Sequence, residues 1–180
     1  MSERYKFNGK ENLYFVSPTI VGWIDLFTKK QFNEIILESL RFCQKEKGLI
    51  IHAWCIMSSH LHLVVSSEKE ELSNILRDFK KHTNKKIIEE LKTGTDSRRE
   101  WILELFQKEA NKTNRITEYK VWQDGNHPIL LDSNEMRDQR LHYIHNNPVK
   151  AGLVLRAEDY LYSSAGDYGE QIGLLTIEKI

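Results

Sequence analysis

Residues 53–66 constrain the fold most. They carry an apolar run, a break at Ser58 and Ser59, the pair His60 and His62, and a second apolar run of Leu63, Val64 and Val65. Two short apolar runs about a polar turn specify a β-hairpin, here from about Leu49 to Ser67. Side chains on a strand alternate between faces. His60 and His62 therefore share one face, and Leu61, Leu63 and Val65 take the other. Two imidazoles one pleat apart can hold one divalent cation. The same pattern also suits two half-exposed surface histidines, so a second group elsewhere in the chain has to decide.

The chain before and after the hairpin reads as one domain. Its 180 residues suffice for a sizeable core. No apolar run reaches the roughly 20 residues of a membrane span. The first six residues include the charged Glu3, Arg4 and Lys6 and lead into no signal-type apolar core. Cys43 and Cys55 sit in apolar patterns and read as buried thiols, as in a reducing cytosol. The 26 basic and 26 acidic residues balance, which argues against general coating of nucleic acid and leaves room for a local basic patch.

Residues 1–12 are polar and expected to be loose. Leu13–Val16 with Thr19–Val21 reads as a first strand, broken or ended at Pro18. Thr28 and Gln31 have capping-box spacing, so a helix is expected from Thr28 to Gly48, with Phe32, Ile35, Ile36, Leu40 and Cys43 on its apolar face. A second helix runs from Glu70 to about Lys92, with Leu72, Ile75, Leu76, Phe79 and Ile87 in a stripe. Arg77, Lys80, Lys81 and Lys85 lie on another arc. Residues 77–86 hold five basic residues and one acid, Asp78. That is a solvated helix face or a set of phosphate contacts. Residues 101–106 suit a short helix, Ile116–Gln123 a strand, Asp124-Gly125 a turn, and residues 126–131 another short strand. Asp132 and Ser133 open a third helix, with Asp132 and Glu135 at capping-box spacing, and Pro148 is expected to end it. The remaining residues, 155–180 in particular, form a tail packed on the domain. This order specifies an α+β class: a mainly antiparallel sheet with packed helices, ferredoxin-like or RRM-type.

The second group lies on the third helix. Tyr143 and Asn147 stand one helical turn apart and can face the same way. A tyrosine hydroxyl is a weak nucleophile at neutral pH, with an ordinary pKa of about 10. A nearby cation lowers that barrier. An asparagine oxygen is a good hard ligand for Mg2+ or Mn2+. A core tyrosine and a helix-end asparagine would give the same letters.

Three features together resemble a known family. They are His60-Leu61-His62 after an apolar strand, Tyr143-Ile144 followed by Asn147-Pro148-Val149-Lys150, and the upstream Trp122-Gln123. The first resembles the histidine motif of the HUH nucleases. The combination resembles the REP-associated tyrosine transposases, relatives of the single-tyrosine transposases of small bacterial insertion sequences, from about Tyr14 to Val154. The resemblance implies an HUH nuclease fold over residues 1–180. It also implies cutting and rejoining of single-stranded DNA beside palindromic hairpins through a 5′-phosphotyrosine. It makes Tyr143 the nucleophile and His60, His62 and Asn147 the ligands of Mg2+ or Mn2+. Asp78-Phe79-Lys80-Lys81 resembles the family's DNA-contacting helix, so Arg77, Lys80, Lys81, Lys85, Trp122 and Gln123 are the DNA-binding candidates. Many relatives carry a basic or aromatic run where this chain has Asp124-Gly125-Asn126-His127-Pro128, so hairpin recognition should differ in detail.

The resemblance further implies a cytoplasmic, nucleoid-associated protein, off the membrane, with a homodimer as one possible assembly. A domesticated protein that binds DNA hairpins without cutting them is the first alternative. An unrelated metal hydrolase using His60, His62 and a distant acid is the second.

Overall fold

The computed structural model describes Phe7 and residues 12–112 and 118–180. Its centre is a four-stranded sheet of β1 (Tyr14–Val16), β2 (Leu49–Ile56), β3 (Leu61–Ser67) and β4 (Ile129–Leu130), in the order β2-β3-β1-β4. Every pairing is antiparallel. Helix α1 (Lys30–Lys47) connects β1 to β2, and α2 (Leu72–Thr93) with α3 (Arg99–Asn111) connects β3 to β4. This is the ferredoxin-like arrangement. Helix α4 (Asn134–Lys150) follows β4, and a one-turn helix, α5 (Ala165–Tyr168), lies in the C-terminal segment.

Strand alternation sorts the apolar residues into two layers. Tyr14, Val16, Leu61, Leu63 and Val65 face the main core, with Phe32 and Ile36 of α1 and Ile75 and Phe79 of α2. Phe15, Ala53, Cys55 and Val64 face the opposite side, where Ile144 of α4 seals them. A register irregularity between Ile51 and Ala53 moves β2 from one alternation to the other. The second face is the one that matters for function, because His62 and α4 meet there.

The C-terminal segment covers the outer edge of β2. Ile56 N–H donates to the Tyr162 carbonyl at 2.9 Å, Ser164 N–H to Trp54 at 2.9 Å, and Glu178 N–H to Ile51 at 2.9 Å. An edge paired this way is closed to strand addition from other chains. Cys43 and Cys55 are buried free thiols. Nearly all of residues 1–12 lie outside the described residues.

Several local expectations are corrected. The capping box at Thr28 does not form: its hydroxyl donates to the Asp25 carbonyl at 2.8 Å, in a turn of 3-10 helix over Leu26–Thr28, and α1 begins at Lys30. Gly48 does end α1, in the left-handed conformation. Ile116–Gln123 is no strand where it is described, from residue 118 onward. Only Trp122 forms a bridge, with Ile20, and Val121 N–H donates to the Asn84 side chain at 2.9 Å. Helix α4 is capped by Ser133 rather than Asp132, through the Met136 N–H at 3.3 Å. Pro148 does not end α4, which runs on to Lys150. So near the helix end, proline removes one hydrogen bond and its fixed φ suits the helix. The Ala151 and Leu153 N–H groups then close the turn on the Asn147 and Pro148 carbonyls.

Candidate active site

His62 is the second residue of β3 and lies opposite Cys55 of β2. His60 precedes the strand and bridges to Thr19. Their Nε2 atoms stand 3.1 Å apart. Each ring is oriented from behind: His62 Nδ1 lies 2.7 Å from Ser17 Oγ, and His60 Nδ1 lies 3.2 Å from Ser59 Oγ. Burial pushes the His62 pKa down to about 3, with smaller contributions from His60 and Arg140, and burial also lowers that of His60. Both rings are therefore neutral at neutral pH, the form that binds a metal.

The spacing fits a shared cation. Two ligands about 2.05 Å from one ion are about 2.9 Å apart in octahedral and about 3.4 Å apart in tetrahedral geometry. The observed 3.1 Å falls between. No cluster of three His, Cys, Asp or Glu side chains that could hold a metal exists among the described residues. A neutral amide, water or phosphate would have to complete the shell.

Helix α4 crosses the same sheet face. Its buried Ile144 and its Ser133 cap fix it there, and Tyr143 comes to lie with its ring centre 5.2 Å from that of His62 of the same chain. Phe15 packs against both, stacked on His62 at 5.5 Å and edge-on to Tyr143 at 6.0 Å. Tyr143 is 37% exposed, so DNA could reach it. Its hydroxyl has no hydrogen bond among the described residues. The rival Tyr160 donates its hydroxyl to the Ile56 carbonyl at 2.9 Å, and burial pushes its pKa up to about 12. Asn147 donates to the Tyr143 carbonyl at 3.0 Å, so the two residues occupy successive turns. No hydrogen bond joins Asn147 to either histidine among the described residues.

Four residues at this site escaped the sequence reading: Phe15, Ser17, Trp23 and Arg140. The Arg140 guanidinium lies 4.9 Å over the Phe15 ring and 5.8 Å over the Tyr143 ring. Its position three residues before Tyr143 was the available signal. Phe15 and Ser17 could be found only by knowing that β1 pairs with β3.

The DNA-binding candidates form a separate cleft of about 340 Å³ between α2 and the segment that follows α3. Arg77, Lys80, Lys81, Trp122 and Gln123 line it, whereas Lys85 lies outside and pairs with Glu89 at 3.8 Å. Lys80 donates to the Gln123 carbonyl at 3.1 Å and the Gly125 carbonyl at 2.5 Å. Burial lowers its pKa to about 8. Trp122 is buried, with its indole N–H on Thr83 Oγ1 at 3.0 Å, and Gln123 donates to the Ile20 carbonyl at 3.2 Å. Arg77 and Lys81 are the exposed cations in the cleft, and Lys85 beside it is exposed too.

Residues 24–109 match the family model described as "Transposase IS200 like". The match contains His60 and His62 and stops short of Tyr143. No curated protein matches the chain. A solved structure described as the REP-associated tyrosine transposase bound to a REP hairpin is 18% identical. The alignment covers 100% of this chain and 92% of that one, with a TM-score of 0.63. Residues 24–109 are thus similar to the IS200-like transposases, and the chain as a whole shares its fold with a REP-associated tyrosine transposase.

Proposed function

We propose that residues 1–180 act as one unit that nicks and rejoins single-stranded DNA beside hairpins, as in DNA transposition. The observation that carries this reading is the convergence of the two Nε2 atoms at 3.1 Å beside an exposed Tyr143 with a free hydroxyl. The Tyr143 oxygen attacks the scissile phosphorus. An oxygen–phosphorus bond forms to the tyrosine, the bond to the 3′ oxygen breaks, and the DNA keeps its 5′ phosphate on the protein. The leaving oxygen takes a proton and becomes a 3′ hydroxyl, while the tyrosine proton passes to solvent. Attack by a 3′ hydroxyl on the phosphotyrosine reverses these bond changes and rejoins a strand. His60 and His62, with Asn147 as the third ligand, would hold Mg2+ or Mn2+, which when bound supplies polarisation of the phosphate. Arg140 stands where it can hold a phosphate oxygen beside Tyr143.

Hairpin DNA is the proposed partner, since the solved relative of the same fold is bound to a REP hairpin. Arg77, Lys81 and Lys85 contact its phosphates, and Lys80, Trp122 and Gln123 shape the wall of the cleft. The cis placement of Tyr143 beside its own His62 supports a site complete in one chain. An unrelated hydrolase would need an acid at the histidine pair, and no such cluster exists among the described residues.

Nicking of labelled single-stranded hairpin DNA in the presence of Mn2+ tests the proposal. A cut strand with protein on its 5′ end is the expected product. Tight binding with no cut would favour the hairpin-binding alternative.

A further inference from the structure

We propose that Trp23 is a stacking platform for a nucleobase beside the phosphate at the His60/His62 pair. This rests on the single-stranded DNA reading above and adds a binding element to it. Trp23 is 63% exposed, although a tryptophan gains by burial. It also has φ 55, a left-handed backbone that side chains other than glycine rarely adopt. Gly22 just before it has φ 65, so two successive residues leave the usual region and only the first is a glycine. Strained positions persist where the surroundings over-determine them, and they gather at functional sites.

The surroundings here do that from three sides. Ile20 and Phe27 N–H groups donate to the Ser59 and Ser58 carbonyls of the histidine turn, each at 2.9 Å. Val21 N–H donates to the Val121 carbonyl at 2.9 Å. Arg98, just before α3, donates to the Asp25 carboxylate at 2.6 Å. The Trp23 N–H itself closes the turn on Ile20 at 3.1 Å. The result is an indole held against the catalytic pair: its ring centre is 5.6 Å from that of His60, at 76°. The edge-on contact leaves indole surface to solvent. His60 in turn reaches His62, which Tyr143 flanks. The site therefore has Trp23 on the His60 side and Arg140 on the Tyr143 side. A base stacked on Trp23 would put its own backbone next to the paired imidazoles, and every base has a face suited to this.

The test is anisotropy of labelled oligothymidylate and of an abasic strand of equal length, with wild type, Trp23→Ala and Trp23→Tyr. Trp23→Ala should weaken binding of oligothymidylate about 5- to 150-fold, the loss expected for one stacked base. It should leave the abasic strand unaffected, and Trp23→Tyr should restore most of the affinity. Thermal melting of each variant guards against misfolding, and Trp23→Ala should melt no lower than wild type. Equal affinity of wild type and Trp23→Ala for oligothymidylate overturns the platform, as does an equal loss for both strands. The same chains are scored for a covalent adduct on hairpin DNA. Base-dependent binding with no wild-type adduct would overturn strand transfer and keep the platform. An adduct with no effect of Trp23 on affinity would do the reverse.

Discussion

The Arg140 guanidinium lies 5.8 Å over the ring of Tyr143, one turn along the same helix, and its charge adds a small part to the lowering of the His62 pKa that burial mainly causes. A planar fork at that place suits a phosphate oxygen better than a point charge does. Arg140→Ala should slow covalent adduct formation about 10- to 150-fold, the worth of one charge-assisted hydrogen bond. Arg140→Lys should fall between. Single-turnover kinetics check this, and an unchanged rate in Arg140→Ala would remove the residue from the site.

Ser133 starts the helix that carries Tyr143. Its Oγ accepts the Met136 N–H at 3.3 Å. Ser133→Ala should lower stability by about 0.5–2 kcal/mol in urea unfolding, and Ser133→Asp should retain most of it. Asp132→Ala should leave stability unchanged, because Asp132 makes no cap bond.

Lys80 and Lys81 are neighbours with different work. Lys81→Ala should weaken DNA binding for all sequences and reduce the salt slope by about one charge. Lys80 is tied to the Gln123 and Gly125 carbonyls, so Lys80→Ala should chiefly lower stability and loosen residues 123–125. Hydrogen exchange of that segment and salt titration of binding separate the two. A full one-charge change of salt slope in Lys80→Ala, with stability intact, would contradict this division.

His52 links acid to the C-terminal segment. It is buried, with Nδ1 2.8 Å from the Glu178 carbonyl and Nε2 2.9 Å from Ser66 Oγ. Burial lowers its pKa, outweighing the opposite pull of Glu178. The unfolded chain, with an ordinary imidazole, therefore binds more protons than the folded chain below about pH 6.5. Stability should fall as pH drops through that range, by at most about 1.4 kcal/mol per pH unit from this residue. Urea midpoints between about pH 7 and 5 should show a shallower slope in His52→Gln than in wild type. Parallel slopes would contradict it.

The parts legible in the sequence are those fixed by strong local periodicity. The hairpin, α1 and α2 follow from apolar spacing, and strand alternation alone puts His60 and His62 on one face. Tyr143 and Asn147 were readable as a helical turn because Pro148, buried in the last turn, leaves the helix intact. Other expectations failed where a non-local partner outcompeted a local signal. The Thr28 hydroxyl has the Asp25 carbonyl to bond, so no capping box forms. The backbone around Val121 is satisfied by Asn84 and Val21, so no strand is needed there. Lys80 looks like its basic neighbours in sequence, and only the folded loop reveals the carbonyls that hold it. Phe15, Ser17 and Trp23 reach the site through strand pairing and a strained turn, which no spacing rule encodes.

Tyr143 as the nucleophile is the centre of the proposed chemistry. Its most direct measurement is a denaturation-resistant adduct with labelled single-stranded hairpin DNA and Mn2+. Wild type should form the adduct. Tyr143→Phe should form none while folding and binding DNA nearly as wild type, since it loses one exposed oxygen and keeps the ring. His60→Ala should also form none, but with reduced metal affinity, which Tyr143→Phe should leave near normal. An adduct that persists in Tyr143→Phe would contradict the assignment and point first to Tyr119, beside the cleft.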